Sequence, residues 1–132
     1  MAESSLVKKL RIRAGQRALI LNAPSGYAEG LGDLAKGVDV AHQAEGKYDF
    51  VQLFVKDSAE FHALSSPALQ AVEYDGLFWL CYPKKSSKVK TDLSREAAWE
   101  LMDGTGLRPV TQISIDEVWS ALRFRPVEQV GR

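Results

Sequence analysis

The sequence is short of the residues from which most covalent and metal chemistry is built. It holds one cysteine, Cys81, and two histidines, His42 and His62. A single cysteine excludes an intramolecular disulfide and any cysteine-based zinc site, and it suits a reducing compartment. Neither histidine has an acid or nucleophile at the spacing of a catalytic set, and neither opens a metal motif, so no metal is expected. Long apolar runs are lacking too. No stretch approaches the roughly 18 residues of a membrane helix, and the Met-Ala-Glu-Ser-Ser start lacks the apolar segment of a signal peptide. The expected location is the cytoplasm, without a membrane partner. Net charge is absent as well, with 17 basic against 17 acidic side chains, so no overall field draws the chain to nucleic acid. Fixed-period repeats, low-complexity tracts and the phosphate-loop pattern Gly-x-x-x-x-Gly-Lys-Ser/Thr do not occur.

What is present is an ordinary globular composition, 45% apolar and 26% charged over 132 residues. That length suits one domain with a real core. The reading here is a single domain over 1–126 and a frayed tail over 127–132.

The chain is organised around residues 75–92. Leu77 to Tyr82 is an unbroken apolar and aromatic run, suited to a strand buried on both faces in the middle of a helix-covered sheet. Pro83 cannot donate to a ladder and should end it. Lys84, Lys85, Lys88 and Lys90 follow, spaced by serines and free of acids, which leaves 13 cations against 17 acids elsewhere.

Around this centre, Leu6 and Leu10 mark a short amphipathic helix ending before Ala14-Gly15. Strands are predicted at 18–22, 38–44 and 50–55, with a short helix over 27–34. Asp57 and Glu60 form a capping-box pattern. Ser66-Pro67 is itself a helix-start signal, which predicts two short helices, 58–65 and 67–74, meeting at a kink. Ser94 caps a helix closed by Gly104 or Gly106. Two alternating runs, 109–115 and 118–125, flank Asp116-Glu117 as a terminal β-hairpin. The order predicts an α/β three-layer sandwich, a mostly parallel Rossmann-like sheet ending in an antiparallel β-hairpin.

Open α/β sheets bind ligands at the carboxyl edge. The candidate ligand residues there are Asn22, Pro24, Ser25 and Gly26 after the first strand, with Tyr82, Lys84, Lys85, Lys88 and Thr91 around the end of the 77–82 strand. If the two strand ends are neighbours, Asn22 and Lys84 share one crevice, and the lysines with Ser86, Ser87 and Thr91 cradle a phosphate or carboxylate beside a helix N-terminus. The same loop also reads as a solvated surface, and Asn22 as a turn residue bonding its own backbone. Gly30-Leu31-Gly32-Asp33-Leu34-Ala35 matches a dinucleotide fingerprint by letter, but it follows the helix instead of opening it, so the mechanism fails. Cys81, mid-strand in an apolar run, reads as a buried and inert thiol.

Tyr48-Asp49-Phe50-Val51, Tyr74-Asp75-Gly76-Leu77-Phe78-Trp79 and Gly106-Leu107-Arg108-Pro109-Val110 together resemble the fourth-strand entry, fifth-strand turn and hairpin entry of class I methyltransferases. The resemblance implies a Rossmann-like fold and, as one activity, methyl transfer from S-adenosylmethionine. The glycine loop that seats this cofactor in that family corresponds here to Leu21-Asn22-Ala23-Pro24-Ser25-Gly26-Tyr27, with one glycine and a proline. Its acidic ribose ligand corresponds only to Glu45. Leu21-Asn22-Ala23-Pro24, Asp49 to Val55, Tyr82-Pro83-Lys84-Lys85 and Ile115 to Pro126 are also similar to a family of small bacterial proteins without an established activity. The expectation is therefore a binding or regulatory module without a cofactor, taking an anionic small molecule at the carboxyl edge. One alternative is a divergent S-adenosylmethionine-dependent methyltransferase using Asn22 to Gly26. A further one is weak nucleic-acid binding, if the N-terminal cations and the lysine loop fall on one face.

Overall fold

The computed structural model describes residues 5–34 and 37–130. The extreme N-terminus and the last two residues of the predicted tail lie outside them. Six strands form one sheet in the order β2-β1-β3-β4-β6-β5. They are β1 (Arg17–Leu21), β2 (Asp39–Ala41), β3 (Tyr48–Phe54), β4 (Val72–Pro83), β5 (Leu107–Ser114) and β6 (Trp119–Pro126). The first four are parallel; β6 runs antiparallel to β4, and β5 to β6. The predicted α/β class and the closing hairpin are both present.

Both faces of the sheet are covered, which explains why β3 and β4 read as continuous apolar runs. Phe50, Trp79, Cys81 and Ala121 lie on one face, under Val7 and Leu10 of α1 (Ser5–Leu10) and Ala28 and Leu31 of α2 (Tyr27–Leu34). Val51, Leu53, Phe78, Leu80 and Leu122 lie on the other, under Phe61, Ala68 and Ala71 of α3 (Ser58–Ala71) and Ala98 of α4 (Arg95–Leu101). Trp79 is fully buried in the middle strand, and its indole Nε1 donates to the Leu10 carbonyl at 3.1 Å. One sheet residue thereby anchors the end of α1.

The structure departs from the sequence reading at several joints. The predicted break into two helices at Ser66-Pro67 is absent, because α3 runs through Pro67. Phe61, Ala68 and Ala71 fall on one buried face on both sides of the proline, so packing outweighs the one backbone bond that proline removes. The helix then passes directly into β4 at Val72, five residues before the predicted start. Tyr48 pairs with Val72 and Phe50 with Leu77, so residues 73–76 form a bulge on β4. Gly76 is obligatory there: a Cβ would sit 2.9 Å from the Glu73 carbonyl oxygen and 3.2 Å from that of Asp49. The second strand is also shorter than predicted, only Asp39–Ala41. Residues 127–129 of the predicted frayed tail form a 3-10 turn whose Val127 N–H donates to the Gly106 carbonyl at 2.9 Å.

Candidate functional site at the carboxyl edge

The sheet order reverses between β1 and β3: the chain goes from β1 outward to β2, then returns to the other side of β1. That switch point is where an open α/β sheet has its natural crevice. The strand ends flanking it are Leu21-Asn22 and Phe54-Val55. Asn22 sits at φ 60°, a left-handed conformation that asparagine tolerates better than most residues. Its Nδ2 donates to the Phe54 carbonyl at 2.9 Å and to Glu60 Oε1 at 3.3 Å. Asn22 thus does not bond its own backbone. It ties β1 to β3 across the switch point.

The turn after it closes with the Tyr27 N–H donating to the Pro24 carbonyl at 3.1 Å, and Gly26 supplies φ 81°. Tyr27 then drops onto the sheet. Its ring meets Phe54 edge-on at 4.8 Å, and Phe54 meets Trp119 at 5.1 Å. The Tyr27 hydroxyl donates to Gln52 Oε1 at 3.0 Å, and Gln52 Nε2 donates to Cys81 Sγ at 3.4 Å. Gln52 is wholly buried, so these two contacts satisfy an amide that would otherwise be orphaned. Burial pushes both the Tyr27 phenol and the Cys81 thiol far above their ordinary values, so neither is a nucleophile near neutrality.

The cationic loop lies farther along the edge. The expectation that the end of β1 neighbours the end of β4 is corrected here, because β3 stands between them. Lys84 turns toward the hairpin, with Nζ donating to Ser114 Oγ at 2.6 Å. Lys9 of α1 donates to the Ser114 carbonyl at 3.1 Å, so an N-terminal cation and the first loop lysine meet at one residue. Lys85 Nζ donates to the Thr91 carbonyl at 3.0 Å, closing the loop on itself. Lys88 is exposed. The Thr91 hydroxyl accepts from the Leu93 N–H at 3.0 Å. Tyr82 lies on the α4 side of the sheet, where its hydroxyl accepts from Gln112 Nε2 at 3.1 Å and burial raises its phenol. The bonds join Lys85 to Thr91 within the loop and Lys84 to Ser114 of the hairpin, whereas Asn22, Pro24, Ser25 and Gly26 lie in the turn after β1.

Among the edge residues Asp92 carried no sequence signal, whereas Asp57, Glu60 and Asp116 had theirs in the capping-box and turn patterns. Asp92 accepts from the Ser58 N–H at 2.9 Å and from the Ser58 hydroxyl, and these bonds hold its carboxyl below the usual range. Asp57 caps α3 by accepting from the Glu60 N–H at 2.9 Å, while Glu60 reaches back to the Lys56 N–H at 2.8 Å. Asp116 accepts from the N–H groups of Val118 and Trp119, each at 2.8 Å. Gln52 was the one polar residue inside the 50–55 run, and that was its available signal. Glu45 is remote from all of them: its carbonyl accepts from Arg17 Nη2 at 3.1 Å, at the amino edge. Among the described residues no group of histidines, cysteines and acids has metal-site geometry, and no helix is long and apolar enough to cross a membrane.

No protein-family model and no curated protein sequence matches the chain. Solved structures do. A SAM-dependent methyltransferase from Aquifex aeolicus matches with a TM-score of 0.60 at 15% identity, over 92% of this chain and 88% of that one. The N-methyltransferase NodS from Bradyrhizobium japonicum WM9, in complex with S-adenosyl-l-homocysteine, matches at 0.62 and 13% identity, over 92% and 83%. Ribosomal protein L11 methylase from Lactobacillus delbrueckii subsp. bulgaricus matches at 0.62 and 10% identity, over 92% and 74%. The fold is that of the class I methyltransferases. At these identities the likeness fixes the architecture and leaves the chemistry to the site.

Proposed function

We propose that this chain is a binding or regulatory module on a methyltransferase-type fold, taking a small anionic molecule at the carboxyl edge without transferring a methyl group. The observation that carries the reading is how the end of β1 is filled. Asn22 is tied to the Phe54 carbonyl and Tyr27 to Gln52, so side chains of this chain bridge the end of β1 and the start of α2 to β3 at the switch point. The resemblance to methyltransferases places an open glycine loop there, and Pro24 further stiffens the turn. The cations gathered beyond β3 give the edge its attraction for anions. Lys84 and Lys85 hold the loop, each ammonium keeping donors to spare, and Lys88 and Thr91 flank them. In this reading the turn 22–26 closes the edge, and the anion lies on the loop side, next to Lys9.

A second reading, a divergent S-adenosylmethionine-dependent methyltransferase, is favoured by the fold likeness to enzymes such as NodS. Calorimetry separates the two. Millimolar S-adenosylmethionine should give no heat of binding, whereas an affinity near 10 µM or better, roughly −7 kcal/mol, would replace the first reading by the second. Thermal-shift screening with phosphorylated metabolites should identify a stabilising anion, because a ligand of the folded state raises its stability. Lys84→Ala with Lys85→Ala should weaken that anion by about two orders of magnitude, since each charge-assisted contact is worth roughly 1.5–3 kcal/mol. A short oligonucleotide, tested over a range of salt, serves as the control for a surface that attracts phosphate backbones by charge alone.

A further inference from the structure

Away from the carboxyl edge, the hairpin carries a guanidinium whose Nε finds no acceptor among the described residues. Arg123 is only 9% exposed, its Nε is enclosed without a hydrogen-bond partner, and it makes no ion pair among the described residues. Buried polar groups are nearly always paired, and buried charges more strictly so. This arginine stands in β6 opposite Trp79 of β4 and Thr111 of β5. Arg125 follows on the same face of the strand, and Arg108 of β5 is directly opposite Arg125. Arg11, just after α1, and Arg125 are the cations whose charge opposes that of Arg123, and Asp75 is the carboxylate that favours it.

Asp75 is already engaged. It takes both Nε and Nη2 of Arg125 at 2.9 Å each, a bidentate pair at the β4 bulge. Among the described residues four arginines thus share one region with Asp75, whose carboxylate already holds Arg125. Like charges placed directly opposite in a sheet are destabilising, and so is a buried cation without an acceptor. Both penalties are removed by one species: an anion with several oxygens lodged among the guanidinium groups. Planar guanidinium forks match the oxygens of phosphate, and a cluster with net charge near +3 calls for a dianion over a single carboxylate. The residual exposure of Arg123 gives such an anion a route in.

We propose that Arg123, with Arg11, Arg108 and Thr111 around it, forms a binding site for a phosphate group, separate from the carboxyl edge and independent of the function proposed there. The phosphate is either inorganic or the head of a phosphate monoester, and the two share the recognising chemistry.

The test is calorimetry and thermal unfolding of the full chain in a buffer free of other oxyanions, with ionic strength held constant by sodium chloride. Inorganic phosphate, phenyl phosphate and acetate are the probes. Phosphate should bind with a dissociation constant of about 1 mM or tighter and raise the melting temperature. Arg123→Met should weaken binding about tenfold or more, the loss expected for a charge-assisted hydrogen bond. Arg123→Lys should restore part of it, because it keeps the charge without the fork. Arg108→Gln, at an exposed position of the hairpin, carries the same test if the Arg123 variants do not fold. Tighter binding of phenyl phosphate than of phosphate indicates an esterified ligand, and the reverse indicates the free ion; both support the site. Equal binding by wild type and both Arg123 variants would overturn it. So would acetate binding as tightly as phosphate, or no shift with phosphate in the wild type. Loss of the phosphate response in Lys84→Ala/Lys85→Ala, with retention in Arg123→Met, would move the anion to the carboxyl edge and overturn this proposal while sparing the other.

Discussion

Asn22 Nδ2 lies 2.9 Å from the Phe54 carbonyl oxygen, joining the ends of two parallel strands at the point where the sheet order reverses. The bond brings a side-chain donor to the carbonyl of the last residue of β3. It also fixes the direction in which the chain leaves β1, because Asn22 turns through φ 60° before the Ala23-Pro24 segment. A second acceptor, Glu60 Oε1, belongs to the capping arrangement of α3. The strand end, the turn and the next helix of the edge are thus held by one amide.

That amide has two separable roles, and two substitutions divide them. Asn22→Gly should keep the left-handed backbone and lose the hydrogen bonds, costing about 1 kcal/mol. Asn22→Ala should lose both and cost about 1–2 kcal/mol more, because an L side chain with a Cβ resists positive φ. Urea unfolding midpoints decide it. Equal stability of the two variants would remove backbone strain from the account.

Trp79 tests how strongly the middle strand governs the fold. Its ring is wholly buried between strands on either side, and its N–H satisfies the Leu10 carbonyl at the end of α1. Trp79→Ala should cost on the order of 3–5 kcal/mol through the cavity it leaves. Trp79→Phe keeps most of the volume and orphans the carbonyl, so it should cost about 1–3 kcal/mol. The same variant should loosen α1 in particular, seen as faster amide exchange over residues 7–10 than over β3.

The centre of the sheet was legible in the sequence because a strand buried on both faces has to be almost wholly apolar, as 77–82 is and as 50–55 is but for Gln52. The hairpin was legible because Val118 to Arg125 alternates and Asp116 is a turn residue, here capping two N–H groups. What stayed hidden depends on contacts distant in sequence. Pro67 looked like a helix start, and only the burial of Ala68 and Ala71 against the sheet keeps α3 whole. The bulge at 73–76 exists because β4 must pair with β3 at both Val72 and Leu77. At the site, the candidate lysines were visible as a charge run, but their directions were set by Ser114 and Thr91. The crossing of Asn22 to Phe54 spans 32 positions, and local propensity carries no record of it.

The Asp75–Arg125 pair gives the chain a defined response to acid. Hydrogen bonds from Arg125 hold the Asp75 carboxyl below its ordinary value. A depressed carboxyl contributes stability that is fully present above its unfolded value of about 3.9 and disappears as pH falls through the lower folded value. The side chains keep 18% and 30% of their surface exposed, so solvent screening limits the effect to less than about 1 kcal/mol. Asp75→Asn isolates it, because asparagine also tolerates the φ of 57° found here. The wild type should exceed the variant by a constant margin from pH 5 to 7, and the margin should shrink as pH falls below about 4. A margin that grows on acidification would reverse the sign and remove the ion pair as its cause.

Arg123 makes the sharpest prediction, because its substitution should help the isolated fold. The Nε enclosed in β6 has lost its water without gaining an acceptor, and Arg11 and Arg125 add repulsion. Replacing a buried, uncompensated ion by an apolar side chain of similar length removes that penalty, as replacing even buried ion pairs by apolar side chains is often neutral or stabilising. Arg123→Met should therefore raise the urea midpoint in phosphate-free buffer. Arg123→Ala should gain less, since it leaves a gap beside Trp79 and Thr111. Added phosphate should then narrow the difference between wild type and Arg123→Met, because only the wild type keeps the enclosed guanidinium for it to neutralise. A methionine variant less stable than wild type in phosphate-free buffer would show that the guanidinium is satisfied within the folded chain.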